Sequence, residues 1–318
     1  MYKRELMRFK IGTKKVGKPK VSSVQLVGGL GNQLFCYAFG LYLQEAKGHK
    51  VVFDTSEIDR GLTKHGVSID SLELPGIFRN LRKEGSLTSY YTRRVSFAIQ
   101  ARIPFIAVPA FFWPCYTAKE VGWDPGHETV RPGTTFRGYF ASTCYFNWLR
   151  ERGGTFGVVV ANPSEFYSSA RASLLSERFL AVHVRRGDFV GLGEKFGLVG
   201  PNYFINAIQH LREIGADWEK VVVFSDDINA ARNLLEVALK GESVQFLEPP
   251  PGSDDAESMA LMALGSHHVI SNSSFSLWAA LLSESQGRVI APEPWHKGMK
   301  APTGLLPDSW ITLEPNFQ

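Results

Sequence analysis

Apolar and polar positions along this 318-residue chain fall into two series of short β-rich runs, each followed by apolar residues at helical spacing. The first series reads as a strand at Val24-Gln25-Leu26-Val27, a glycine turn at Gly28-Gly29-Leu30-Gly31-Asn32, a helix over 34–46 that is apolar nearly all round, and a strand at Val51-Val52-Phe53. That is a βαβ unit with a buried helix. Residues 60–150 are less regular, broken by prolines and dense in aromatics such as Phe111-Phe112-Trp113. A groove for an acceptor fits there, with no side chain assigned to it. The second series begins near residue 165. Helices over 164–177, 201–214, 228–239, 254–264 and 275–285 alternate with strands over 179–185, 221–224, 244–247, 268–271 and 288–290. Five strands alternating with helices predict an α/β fold whose C-terminal sheet is parallel and covered on both faces. The length predicts two domains, each with its own core. Their boundaries fall at 21–160 and 161–318, after a basic arm over 1–20.

Composition narrows the class. The chain is 44% hydrophobic and 21% charged, with a net charge of +4, as expected of a globular protein. Much of that charge sits in the arm, where Lys3, Arg4, Arg8, Lys10 and four further lysines face only Glu5. The remainder is slightly acidic, which excludes a nucleic-acid surface spread over the fold. The arm suits either a solvated extension or contact with an anionic membrane surface. It lacks the apolar run of a signal peptide, so the expected location is cytoplasmic or peripheral on the inner face of a membrane. Cys36, Cys115 and Cys144 fit neither a disulfide framework nor a zinc site, and His267 and His268, being adjacent, point to opposite faces of a strand. No metal is expected.

Three loops of the second series lie at the C-terminal ends of parallel strands, where doubly wound sheets bind ligands. The first is His183-Val184-Arg185-Arg186-Gly187-Asp188. With a period of two, His183 and Arg185 project to one side and Arg186 to the other, so one arginine faces a ligand while its neighbour faces protein. This cationic cluster suits an anion; the alternative is a buried Arg186–Asp188 pair fixing a turn at Gly187. The second loop, Ser225-Asp226-Asp227, offers Asp226 to the donors of guanine, to ribose hydroxyls, or to a helix start as a cap. The third, Ser271-Asn272-Ser273-Ser274-Phe275-Ser276, opens a helix, where hydroxyls and free N–H groups attract an anion. N-capping by Ser274 or Ser276 explains part of that string. Arginine and serines in one crevice would hold a diphosphate. In the first half, Gly29-Leu30-Gly31 with Asp54 imitates the fingerprint of an NAD(P)-dependent oxidoreductase, but Leu34 stands where a third small residue belongs. The glycines more readily bring backbone close to a ligand from the opposing domain, with Asn32 supplying an amide.

On these strings the chain resembles the inverting α1,2-fucosyltransferases of glycosyltransferase family 11. The matches are Gly28-Gly29-Leu30-Gly31-Asn32-Gln33-Leu34-Phe35 with Tyr37-Ala38-Phe39, Gly138-Tyr139-Phe140, the loop from His183 to Asp188, Phe224-Ser225-Asp226-Asp227, and Ile270-Ser271-Asn272-Ser273-Ser274-Phe275-Ser276 with Trp278-Ala279-Ala280. They run in the family's order over roughly residues 24–296. The resemblance implies a GT-B type fold, two Rossmann-like domains facing a cleft. It implies GDP-fucose as donor and inverting transfer to the 2-hydroxyl of a terminal galactose on a glycan, without metal or other cofactor, in polysaccharide biosynthesis or protein glycosylation. Arg185 would clamp the diphosphate, helped by Arg186, Gly31 and Asn32. Ser273, Ser274 and Phe275 would bind phosphate, and Asp226 would lie near the nucleoside. Arg185 and His183 are the expected catalytic groups, with Asp188 a candidate base that serves equally as a partner of Arg186. Cys36, Leu277 and Ser142-Thr143-Cys144 depart from the commoner family pattern and leave the acceptor preference open. An oxidoreductase and a non-catalytic binder of nucleotide sugar or glycan stand as the alternatives.

Overall fold

A computed structural model describes residues 21–61, 65–74, 115–153 and 158–318, apart from the side chains of Asp188 and Phe189. The basic arm and Phe111-Phe112-Trp113 lie outside the described residues.

The first half forms β1 (Val21–Gln25), α1 (Leu30–Lys47), β2 (Lys50–Asp54), β3 (Cys115–Thr117), β4 (Thr135–Arg137) and α2 (Thr143–Arg150). Its four strands lie in the order β2-β1-β4-β3, all parallel. Helix α1 starts at Leu30, inside the predicted turn, and stops at Gly48, whose φ of 67° lets its N–H donate back to Gln44 O. Glycine takes this left-handed stop position at little steric cost. Strands β3 and β4 went unpredicted because each is three residues long and lies in the irregular stretch over 60–150, without the strand–helix alternation that marks the second half.

The second half follows the predicted alternation. It runs α3 (Glu165–Leu174), β5 (Phe179–Val184), α4 (Gly193–Phe196), α5 (Pro201–Glu213), β6 (Lys220–Ser225), α6 (Ile228–Leu235), β7 (Val244–Phe246), α7 (Asp255–Met262), β8 (His267–Val269), α8 (Ser274–Leu281), β9 (Val289–Pro292) and β10 (Ile311–Leu313). The sheet is parallel, in the order β10-β9-β8-β5-β6-β7. β10, which extends the five predicted strands to six, carries the weak pattern Ile-Thr-Leu.

Strand pleat sorts the core. Phe179, Ala181, Val222 and Phe224 face a cluster of buried residues that also takes in α1, α2, α7 and α8. Leu180, Val182, Val184, Val221 and Val223 face a second cluster with α5 and α6. The expectation of one core per domain therefore gives way to a core shared by both halves. Phe35 of α1 and Phe146 of α2 both meet the ring of Trp278 on α8, at 5.1 and 5.3 Å between centroids. Backbone bonds add to this junction, since Trp123 N donates to Thr303 O at 2.9 Å and Thr143 N to Gly304 O at 2.8 Å. Among the described residues no helix is long and apolar enough to cross a membrane.

Candidate active site

Each sheet has one place where the chain, having wound outward on one side, returns on the other. In the first sheet it lies between β1 and β4, in the second between β5 and β8. Ligands of open α/β sheets bind beyond the strand ends at such switch points. Here the two face one another. A cleft of about 400 Å³ is lined by Gly29–Asn32 after β1, Tyr139 and Ala141 after β4, Arg185 after β5 and Asn272–Phe275 after β8. A second chamber of about 270 Å³ joins it at Arg185, Asp255 and Phe275, and continues along Phe224, Asp226, Leu247 and Pro249-Pro250.

The two arginines of the first loop separate as the pleat requires. Arg185 borders both chambers. Its Nη1 lies 3.2 Å from Asp226 Oδ2, while Asp226 Oδ1 accepts from Arg186 N at 2.8 Å. Gly187 makes room for that carboxylate, since a Cβ there would stand 2.3 Å from Asp226 Oδ2. The Arg186 side chain is buried on the opposite face, donating through Nη2 to Val199 O at 2.9 Å and to Gln318 Oε1 at 3.3 Å. Arg186 lines neither chamber, which corrects its expected place on the donor. His183 lines the second chamber but is buried, its Nδ1 2.8 Å from Ser271 Oγ and its ring 5.6 Å from that of Phe275. Burial, then the charge of Arg185, pushes its pKa down to about 3. A neutral imidazole bound to Ser271 braces the ends of β5 and β8, where the sequence had set it among the catalytic groups. The Asp188 side chain, the candidate base, lies outside the described residues.

At the third loop the predicted serine caps are absent. Ser273 occupies the N-cap of α8 with no side-chain cap hydrogen bond, and the Ser276 hydroxyl donates to Ser273 O at 3.1 Å rather than accepting. The first turn of α8 thus starts at the cleft without a side-chain cap, and Ser273, Ser274 and Phe275 line the cleft there. At the second loop the cap is Asp227 rather than Asp226, accepting from Ala230 N at 2.9 Å at the start of α6. Asn272 donates to Phe196 O at 2.9 Å and Gly197 O at 3.1 Å, fixing α4 beside the cleft. Gly31 packs directly on this loop, because a Cβ there would lie 2.5 Å from the Ser274 carbonyl carbon. The glycine brings backbone against the opposing half as the sequence suggested, with protein as its partner. Asn32 lines the cleft beside it.

Four cleft residues escaped the sequence reading. Lys195 and His296 border it from α4 and from the segment after β9. Burial, then Lys195, pushes the His296 pKa down to about 4. Asp255, at the first turn of α7 and exposed at the rim, borders both chambers. Desolvation by the walls and the adjacent Asp254 raise its pKa, against the pull of Arg185 and His65. Tyr139 projects from the other wall. The Pro249-Pro250-Pro251 stretch supplies two prolines to the second chamber. No motif surrounds Lys195, Asp255 or His296, and Tyr139, though within the Gly138-Tyr139-Phe140 string, carried no assigned role; the fold brings the four together. Among the described residues no three His, Cys, Asp or Glu side chains are grouped to hold a metal ion.

Two parallel α/β sheets that open their switch points on one cleft make up a GT-B type fold. Residues 171–308 match the model of glycosyl transferase family 11, which is the family this chain is similar to. An alpha-1,2-colitosyltransferase of Escherichia coli is 27% identical over 310 residues, covering 91% of this chain and 98% of that one. WbnK, an O-antigen biosynthesis glycosyltransferase of the same organism, is 30% identical over 137 residues, 42% of this chain and 44% of WbnK. The solved fold of NodZ alpha-1,6-fucosyltransferase from Bradyrhizobium, soaked with GDP-fucose, superposes with a TM-score of 0.51 at 14% identity, over 87% of this chain and 96% of that one. A FUT1 variant of Arabidopsis thaliana in complex with GDP gives 0.51 at 14% identity, over 94% and 77%.

Proposed function

We propose that the protein transfers fucose from GDP-fucose to the 2-hydroxyl of a terminal galactose on a glycan, with inversion and without a metal. One observation carries this reading: Arg185 and the uncapped start of α8 meet at the switch point of the C-terminal sheet, an arrangement suited to a diphosphate. Breaking the bond from sugar C1 to phosphate oxygen builds negative charge on the β-phosphate. A fixed guanidinium and a helix N-terminus aimed there stabilise that charge more in the transition state than before it. The second chamber takes the nucleoside, with Phe224, Leu247 and Pro249-Pro250 as apolar walls and Asp226 and Asp255 as acceptors for base or ribose. The acceptor then approaches from the N-terminal wall, opposite the departing GDP, as inversion requires. Its hydroxyl proton leaves late in the step, and Asp188 and Asp255 are the carboxylates to compare as base.

The polysaccharide setting rests on the names of the relatives, one an O-antigen glycosyltransferase and the other a colitosyltransferase. The latter favours a second donor, a colitosyl nucleotide, within the same chemistry. The deciding measurement is GDP release from GDP-fucose and GDP-colitose over a panel of galactose-terminated oligosaccharides, with linkage analysis of the product and a parallel titration with NADPH. Release with an acceptor, unchanged by EDTA, is expected. Donor binding without release would leave a non-catalytic binder, and NADPH binding in place of GDP would overturn the proposal.

A further inference from the structure

We infer that Tyr139 is the platform on which the acceptor sugar rests, its ring stacked on a pyranose face built of C–H bonds. The inference deepens the transferase reading above and rests on it.

Tyr139 and Phe140 are consecutive aromatics with opposite fates. Phe140 is fully buried and stacks on Phe39 at 3.8 Å between centroids, whereas Tyr139 is 46% exposed and lines the cleft. An extended strand would give such alternation without strain, but β4 has already ended at Arg137. The chain turns here by holding Phe140 at a φ of 48°, a left-handed backbone that bulky residues rarely take. Strain of this kind persists only where the surroundings over-determine it, and it concentrates at functional sites. The surroundings do so here. A Cβ on Gly138 would stand 2.6 Å from Ala118 Cβ. Ala141 N donates to Val121 O at 2.8 Å, and Ser142 N to Phe140 O at 2.7 Å. Beneath the turn, the Cys36 thiol donates to Gly138 O at 3.6 Å. Burial pushes that thiol's pKa up to about 12, so it stays protonated and remains a donor.

What the turn displays is apolar. Val121, 44% exposed, joins Tyr139 on the same wall, and Met299 and Pro302 stand among the residues that line the cleft with them. Both exposed groups belong to the N-terminal half, while Arg185 and the start of α8 belong to the other. An aromatic face in a concave cleft, across from a diphosphate seat, suits a sugar ring that offers C–H groups to π electrons and keeps its hydroxyls for the rim. Placed there, the acceptor meets the donor from the side opposite the leaving group.

Kinetics over a range of acceptor concentrations, with GDP affinity measured by calorimetry, test this. Tyr139→Ala is expected to raise the acceptor KM about tenfold while the Kd for GDP stays at the wild-type value, and Tyr139→Phe is expected to restore the KM. Thermal melting of both variants confirms that the turn still folds. An unchanged KM in Tyr139→Ala would overturn the inference. So would a Tyr139→Phe variant as weak as Tyr139→Ala, since the hydroxyl and not the ring would then bind, and so would a parallel loss of GDP affinity, which would place Tyr139 on the donor. A wild-type chain that neither binds GDP nor releases it fails earlier and separately, at the level of the proposed function, and removes this inference with it.

Discussion

Arg185 and Arg186 are chemically alike and adjacent, and only the strand pleat separates their work. Arg185 reaches the cleft and Arg186 is held against Val199 O, so their variants should fail differently. Arg185→Ala is expected to lower turnover about 100-fold, near 2.7 kcal/mol of barrier, with the melting temperature little changed. Arg185→Lys should recover little of it, because a single ammonium cannot reproduce the planar fork. Arg186→Ala should instead cost stability, about 1–3 kcal/mol, through lost packing and a buried carbonyl left without its donor. Denaturation curves set beside initial rates distinguish the two, and the assignment fails if Arg186→Ala is as inactive as Arg185→Ala while equally stable. Replacing Asp188 and Asp255 separately by Asn and recording pH–rate profiles identifies the base, whose variant loses the acidic limb. At this scale the period of two made the Arg185/Arg186 division legible in advance. Asp255, Lys195 and His296 were not legible, since each is an ordinary residue until a distant segment closes beside it, and Tyr139 was visible only as part of a string with no role attached.

Between elements, α1 and α8 approach one another closely at the site. Gly31 permits it, and a Cβ there would press on the Ser274 carbonyl at 2.6 Å from its oxygen, with backbone that cannot swing aside. Gly31→Ala is therefore expected to push α8 away from the cleft, costing about 1–3 kcal/mol of stability and weakening GDP binding together. Stability lost with GDP affinity intact would show that the two helices need no such apposition. The glycine string was visible in the sequence as a turn after a strand, with Leu34 where a dinucleotide fingerprint needs a small residue. Its partner was not visible, because a glycine's need for space is the same toward a ligand as toward another helix. The five predicted strands of the second half all survived, the long and buried β5 and β6 as well as the three-residue β7 and β8. The three-residue β3, β4 and β10 are fixed by pairing with neighbours that the local pattern does not contain.

For the molecule as a whole, the shared core binds the halves and burial of histidine sets how they respond to acid. Burial pushes the pKa of His183 down to about 3 and, with opposing help from the Met262 carbonyl, that of His268 down to about 4; His296 reaches about 4 as well. Each is neutral when folded and gains a proton on unfolding at mildly acidic pH. Between the ordinary value of 6.5 and the folded value near 4 the unfolded chain binds more protons, so stability is complete above that window and falls as the pH drops through it. The slope per histidine is at most about 1.4 kcal/mol per pH unit. His49, His127 and His267 are lowered too, chiefly by burial, and act in the same direction. Because the apolar cluster around Phe35 and Trp278 runs through both halves, near-ultraviolet and far-ultraviolet signals should fall in one transition at every pH, not as two domains in turn. His268→Gln keeps a donor for Met262 O but cannot take up the proton, so it should flatten the loss of stability between pH 6 and 5, whatever it does to stability at pH 7. Equal slopes in the variant and the parent would mean that His268 is already protonated in the folded chain.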